Sequence, residues 1–373
     1  MPRARRPPAR PTPRYPLAGL DTILERCGRR LDAHEKGGDG VRLREGQVSQ
    51  LASVRPRDAG RNTGVPLDLA WVRSLRVNRS AVERRADTLP RRRTVKREWQ
   101  AAWLLRAVTC MDLTTLSGDD TPARVRRLCG KAQRPVRAAL LAALGADGLP
   151  IRVAAVCVYH AMVATAVEAL AGSGIPVAAV ATGFPHGLSP MRERLGEIRA
   201  SIADGAAEID VVITRAHVLT GAWEALYDEV RAFREACGAA HLKTILATGE
   251  LGPLRNVARA GAVCLMAGAD FIKTSTGKES TNATLPVGLV MARTLRAYYE
   301  RTGHRAGLKP AGGIRAAKQA LDWLLLMKDE LGTPWLRPAL FRLGASGLLT
   351  DIERQLEHLV TGRYSAAHRH PVP

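Results

Sequence analysis

Along the chain, short runs of almost continuous apolar residues alternate with longer stretches whose apolar positions recur every three or four residues. Eight short runs stand out: "AVTCMDLT" (107–114), "IRVAAVCVY" (151–159), "PVAAVATGF" (176–184), "EIDVVI" (208–213), "HLKTILATG" (241–249), "ADFIKTS" (269–275), "RAGLKPAG" (305–312) and "LFRLGAS" (340–346). Runs that lack polar alternation belong to strands covered on both faces, the condition of a parallel sheet. The stretches between them read as helices, among them "MRERLGEIRASIADGA" and "AWEALYDEVRAFREACG", the second placing Leu226, Val230 and Phe233 at helical spacing. Eight strands, each followed by a helix, over roughly 250 residues predict an α/β fold of the (β/α)8 or TIM-barrel type. On pattern alone a doubly wound open sheet stays open, although no Gly-rich fingerprint follows the first strand.

Ahead of the barrel pattern, "TVKREWQAAWLLRAVT" predicts an N-terminal helical segment with Trp99, Trp103 and Leu104 on one side and basic residues before it. Residues 1–62 are rich in Pro and Arg and read as a flexible basic arm. Within that arm "LAGLDTILERCGRRL" puts Leu20, Leu24, Cys27 and Leu31 at helical spacing, enough for a short amphipathic helix. The expected organisation is therefore an arm (1–62), a barrel domain (63–364) and a flexible C-terminal tail (365–373).

The 373 residues carry a formal charge of +21. Such a balance raises nucleic acid as a partner, but more than half of the excess sits in the first 100 residues, without the interleaved aromatics that single-strand binding needs. Six cysteines are widely spaced, with no CxxC pair and no Cys/His cluster at zinc spacing, which predicts a reduced, cytoplasmic protein without a metal. No stretch approaches 18 uninterrupted apolar residues, so no membrane partner is expected, and the prolines of "MPRARRPPARPTPRYP" would break the helix of a transit peptide. Oligomeric state is left open, a homodimer included.

Charges inside buried strands need a reason, because burying an unpaired charge costs several kcal/mol. Four are candidates: Asp112, Asp210, Lys273 and Lys309. Lys243, early in the fifth run, is either a supporting group or a structural ion pair. A plain reading makes all of them a buried salt-bridge network, although such networks stabilise weakly. The chemical reading uses two lysines in a dry site. At about 4 Å and an effective dielectric near 20 two ammonium groups repel by about 4 kcal/mol, enough to hold one amine neutral. A neutral buried amine attacks carbonyls to form an imine, and carboxylates nearby move protons. Glycine-rich strand ends, "TSTGK", "PAGGIR" and "GASG", offer unobstructed N–H groups, with Lys278 and Arg315 as cations, and suit a phosphate unless they only relieve tight turns. A Walker A loop is excluded, since Ile272 occupies its first glycine position and Glu279 its final hydroxyl position.

From about Asn62 to His368 the chain resembles the deoxyribose-phosphate aldolases, in particular their longer eukaryotic-type branch. The stretches that carry the resemblance are "MDLTTLSGDDT", "AAVCVY", "ATGFPHG", "EIDVVI", "LKTILATGEL", "DFIKTSTGK", "GLKPAGGIR" and "FRLGAS". It implies a class I aldolase that needs no cofactor and interconverts 2-deoxy-D-ribose 5-phosphate with D-glyceraldehyde 3-phosphate and acetaldehyde, in deoxyribonucleotide catabolism. It further implies that Lys273 forms the Schiff base, Lys309 lowers its proton affinity, Asp210 relays protons through water, and Asp112 orients the substrate hydroxyl and the lysines. Gly277, Lys278, Gly312, Gly313, Arg315, Gly344 and Ser346 are the implied phosphate holders, with Thr276 beside them. Cys157 matches a cysteine near the family's site, with core packing as its plainer reading. Two positions depart from the family pattern: His160 replaces a proline and reads as a turn residue, and Gly347 replaces a hydroxyl residue after "GAS". Rival readings are another Schiff-base barrel with a different acceptor, or a basic nucleic-acid binder on a barrel scaffold.

Overall fold

A computed structural model describes residues 60–371 except 93, 94 and 96. The amphipathic stretch at 17–31 and the rest of the arm up to residue 59 lie outside the described residues. Eight parallel strands are present: β1 (Met111–Thr114), β2 (Ala155–Tyr159), β3 (Val177–Ala181), β4 (Glu208–Val212), β5 (His241–Ile245), β6 (Phe271–Lys273), β7 (Gly307–Lys309) and β8 (Leu343–Ala345). They pair in sequence order, β1 also pairs with β8, and the bridges Leu308–Phe341 and Ala311–Gly344 close β7 onto β8. Each strand is followed by at least one helix, so the architecture is the (β/α)8 barrel.

Each apolar run contains its strand, but the strands are shorter than the runs. In "AVTCMDLT" the first three residues end a helix, Arg97–Thr109, and β1 starts only at Met111. That helix is buried around most of its circumference: Ala101, Ala102, Leu104, Leu105, Ala107 and Val108 are all covered, as is Trp103, while Trp99 is half-buried. It lies against the helices Ala317–Leu331 and Gly347–Thr361, so the expected one-sided helix is instead a core element. Its apolar C-terminal turn is indistinguishable by periodicity from the strand that follows.

Packing against the barrel already includes Arg61 and Asn62, ahead of the expected boundary. Asn62 is buried, its amide donates to the carbonyls of Leu265 and Ala269, and its N–H donates to Asp270. At the other end, the segment expected to be a flexible tail from residue 365 folds back. Ala367–Arg369 form a short 3-10 turn and His370 is 1% exposed. His370 stands beside Glu353 and Glu357 of the helix Gly347–Thr361, and its carbonyl accepts from Thr350. The turn is held by the hydrogen bond from Thr350 and by the contact of the His370 ring with the Ser365 hydroxyl, while buried Glu353 is paired by Lys131 (2.6 Å).

Candidate active site

Side chains of alternate strand residues point into the barrel, and there they assemble a closed set of charges. Lys273 and Lys309 are register partners on β6 and β7. Their amines donate to the same oxygen of Asp210, at 2.8 and 2.7 Å. Lys309 also lies 2.5 Å from Asp112. Lys243 pairs in register with Phe271, one inward position below Lys273, and contacts Asp210 (2.8 Å) and Glu208 (2.6 Å). Arg342 completes the set: it reaches Asp112 at 2.6 Å and Glu208 at 2.7 Å, with its guanidinium carbon 5.7 Å from the centre of the Phe271 ring. All seven side chains are buried.

The structure thus brings Asp112, Asp210, Lys243, Lys273 and Lys309 together, and adds Glu208 and Arg342, which the sequence reading missed. A signal existed: Glu208 precedes Asp210 by two residues in "EIDVVI", and Arg342 precedes Gly344 by two in "FRLGAS", the spacing of side chains on one face of a strand. Lys243, left undecided between two roles, is an ion-pair member with no exposed surface.

Proton affinities divide along the same geometry. Burial is the largest influence on Lys273 and pushes its amine below the ordinary lysine value; Asp210 opposes this, and the Lys309 charge adds to it. Repulsion between the lysines, expected from sequence to be the main cause, is therefore secondary to desolvation. Burial opposes the charge on Lys309 as well, but Asp112 and Asp210 outweigh it and hold its proton well above the usual lysine range. Lys243 is raised against burial by Asp210 and Glu208. Asp210 is held well below the usual carboxylate range, the three lysines overcoming its desolvation. The site therefore contains one amine biased towards neutrality beside a fixed ammonium and a fixed carboxylate.

An apolar wall borders the charges. Cys157, Ala178 and Val180 form a small buried cluster with Leu116, Tyr159 and Phe184 packed against it. Burial raises the Cys157 thiol, which keeps it a neutral wall group at neutral pH. His160 begins a 3-10 turn after β2 and is exposed, as a turn residue would be.

Glycine makes room where the strands crowd. A Cβ on Gly344 would stand 2.8 Å from the Ala311 side chain and 3.3 Å from Cε of Lys309, and its N–H already donates to the Pro310 carbonyl. Gly344 thus clears the path of Lys309. At the rim, Gly277 (φ +87°) comes close to Gly312, whose own Cβ position is filled by Asn282. Glu279 is buried and accepts from the N–H of Thr276 (3.0 Å), the N–H of Gly277 (3.1 Å) and the Thr276 hydroxyl (2.9 Å). The N–H of Lys278 donates to the Thr276 hydroxyl, and that of Arg315 to Gln319. Gly277, Lys278, Gly313 and Arg315 are exposed, and Gly312 and Ser346 half-buried, around the end of the barrel above Lys273. Ser346 caps the 15-residue helix Gly347–Thr361, whose first N–H groups lack intrahelical acceptors and carry the positive end of its dipole. Among the described residues no group of three or more His, Cys, Asp or Glu side chains is placed to hold a metal ion.

Fold and site define a (β/α)8-barrel protein whose chemistry centres on buried amines at the strand ends. Residues 106–332 match the model of the DeoC/LacD family aldolases, and the chain belongs to that family. The deoxyribose-phosphate aldolase of Mus musculus is 62% identical over 311 residues, which cover 83% of this chain and 98% of the mouse protein. That of Homo sapiens is 61% identical over 313 residues, with the same shares. Among solved structures, the deoxyribose phosphate aldolase of Aeropyrum pernix superposes with a TM-score of 0.53 at 21% identity, over 75% of this chain and 99% of that one, a likeness of fold.

Proposed function

We propose that the chain interconverts 2-deoxy-D-ribose 5-phosphate with D-glyceraldehyde 3-phosphate and acetaldehyde, through an imine on Lys273. The observation that carries the reading is the single Asp210 oxygen bonded to both Lys273 and Lys309, which sets a readily deprotonated amine beside a resting ammonium. The Lys273 lone pair attacks the acetaldehyde carbonyl carbon to give a carbinolamine. Its hydroxyl leaves as water, taking a proton supplied by Lys309, and an imine remains. Loss of a methyl proton, relayed to Asp210 through water, gives an enamine, whose carbon bonds to the aldehyde carbon of glyceraldehyde 3-phosphate while the relayed proton passes from Asp210 to the new alkoxide. Water then hydrolyses the imine, returns the free amine, and releases the proton that restores Lys309. Asp112, through its contact with Lys309, orients the lysine pair. Lys278, Gly312, Gly313, Arg315 and Ser346 receive the phosphate at the rim, and Gly277, whose N–H is taken by Glu279, leaves room beside them.

Cytoplasmic placement is supported by five buried thiols, none of them in a disulfide, at Cys110, Cys129, Cys157, Cys237 and Cys264. No helix among the described residues is long and apolar enough to cross a membrane. Treating the protein with acetaldehyde and cyanoborohydride should leave an ethyl group on Lys273, read by peptide mass spectrometry. Deoxyribose 5-phosphate should release acetaldehyde in the same preparation. No adduct, or an adduct on Lys309, overturns the assignment.

A further inference from the structure

We propose that Arg342 and Glu208 are positioning residues that decide whether Lys273 carries a proton, by fixing the charge count of the buried network. The inference rests on the reading of Lys273 as the nucleophile and adds two residues that lie deeper in the barrel than the reacting groups. Glu208 opens β4, two residues before Asp210, and Arg342 stands immediately before β8. Neither contacts Lys273; both act through Asp112, Asp210 and Lys243.

The network holds three carboxylates, Asp112, Glu208 and Asp210, and four basic groups, Lys243, Lys273, Lys309 and Arg342. A guanidinium keeps its proton at any working pH. Lys309 is held between Asp112 and Asp210, and Lys243 between Glu208 and Asp210, so both keep theirs. Three cations then balance three anions. A fourth positive charge on Lys273 would leave the dry interior with an uncompensated charge, and a neutral Lys273 leaves it balanced. Groups that face Lys273 are the neutral Cys157 from β2, Asp210 from β4 and Lys309 from β7; Asp112 from β1 and Lys243 from β5 join the network one contact further out. Ala178 and Val180 of β3 are apolar, and β8 presents Gly344. His241, also titratable, opens β5 and stands beside Asp270, outside the network.

Removing Arg342 leaves two fixed cations for three carboxylates, and Lys273 becomes the third cation. Removing the charge of Glu208 leaves three fixed cations for two carboxylates, and a proton on Lys273 becomes harder to hold. At a separation on the order of 10 Å and an effective dielectric near 20, one unit charge moves such an equilibrium by about one pH unit.

The test is the pH midpoint for trapping acetaldehyde on Lys273 with cyanoborohydride in the full chain. Arg342→Met should raise the midpoint by about one unit, Glu208→Gln should lower it by a similar amount, and the double variant should return to the parent value. Arg342→Lys, which keeps the charge, should stay at the parent value. Folded single variants with unmoved midpoints, or with midpoints that move in the same direction, overturn the proposal. Should Arg342→Met fail to fold, Glu208→Gln decides alone: a midpoint that stays or rises overturns it. Absence of any Lys273 adduct in the parent protein instead overturns the aldolase reading, so the two failures are distinguishable.

Discussion

Lys273 and Lys309 are buried and share one carboxylate oxygen, whereas Lys278 and Arg315, a few residues further along the same two connections, are exposed, with no ion pair among the described residues. The same residue types thus serve two kinds of electrostatics within one turn of chain. In the interior every charged group but Lys273 is fixed by two or three neighbours, Lys273 pairing with Asp210 alone, and desolvation makes each one matter to the protonation of the others. At the rim the cations are hydrated and screened within about 8 Å at physiological ionic strength, so they attract an anion without altering the chemistry. Interior substitutions should therefore move pH profiles, and rim substitutions should move apparent affinity and its salt dependence.

The largest expected effect is that of Lys309→Ala. It removes the ammonium proposed to supply protons, and by the proposed charge count it also turns Lys273 into a required cation. Turnover of deoxyribose 5-phosphate at pH 7 should fall by about 100-fold or more. The sign follows from the network: with Lys309 gone the Lys273 amine is raised, so the acid limb of the rate profile moves to higher pH and part of the loss is recovered on raising the pH. A loss of the same size at every pH would separate proton supply from proton tuning and break the electrostatic account of the interior.

At the rim, Lys278→Ala combined with Arg315→Ala should raise KM for deoxyribose 5-phosphate by about 10- to 100-fold, the worth of one or two charge-assisted hydrogen bonds, with kcat little changed. The difference from the parent should shrink as salt is raised. If kcat falls instead and the pH profile shifts, the rim is electrostatically joined to the interior and the contrast between the two regions fails.

How much of this was legible in the sequence differs between the same regions. All eight strands were readable, because parallel strands leave continuous apolar runs, yet "AVTCMDLT" ran together a helix end and a strand, since Ala107 and Val108 are as buried in one as in the other. Asp112, Asp210, Lys273 and Lys309 stood out as charges in apolar runs. Glu208 did not, because it opens its run, where a charge reads as the solvated start of a strand; Arg342 was passed over although Phe341 and Leu343 flank it. Folding buries both through pairing across the barrel, between residues 134 positions apart in sequence. The tail was illegible for a related reason: His370 is held partly by Thr350, on another element 20 residues away in sequence. At the rim the glycines were visible, but not that Glu279 occupies the N–H of Gly277, nor that Gly344 serves Lys309.

The smallest effect is the most selective. Gly347 opens the helix Gly347–Thr361, is exposed, and would meet nothing within 4 Å if it carried a Cβ. Gly347→Ser can therefore be accommodated without displacing a neighbour, and its hydroxyl adds one donor at the helix start proposed to meet the phosphate. One added neutral hydrogen bond is worth about 1 kcal/mol, so KM for deoxyribose 5-phosphate should fall about fivefold with kcat unchanged. Unphosphorylated deoxyribose supplies the discriminating control, since it lacks the group that the rim is built to meet. A gain confined to the phosphorylated sugar places the phosphate at this helix start, while an equal gain for both sugars means that the serine touches the sugar itself and that the rim and interior divide the substrate differently from the way their charges divide.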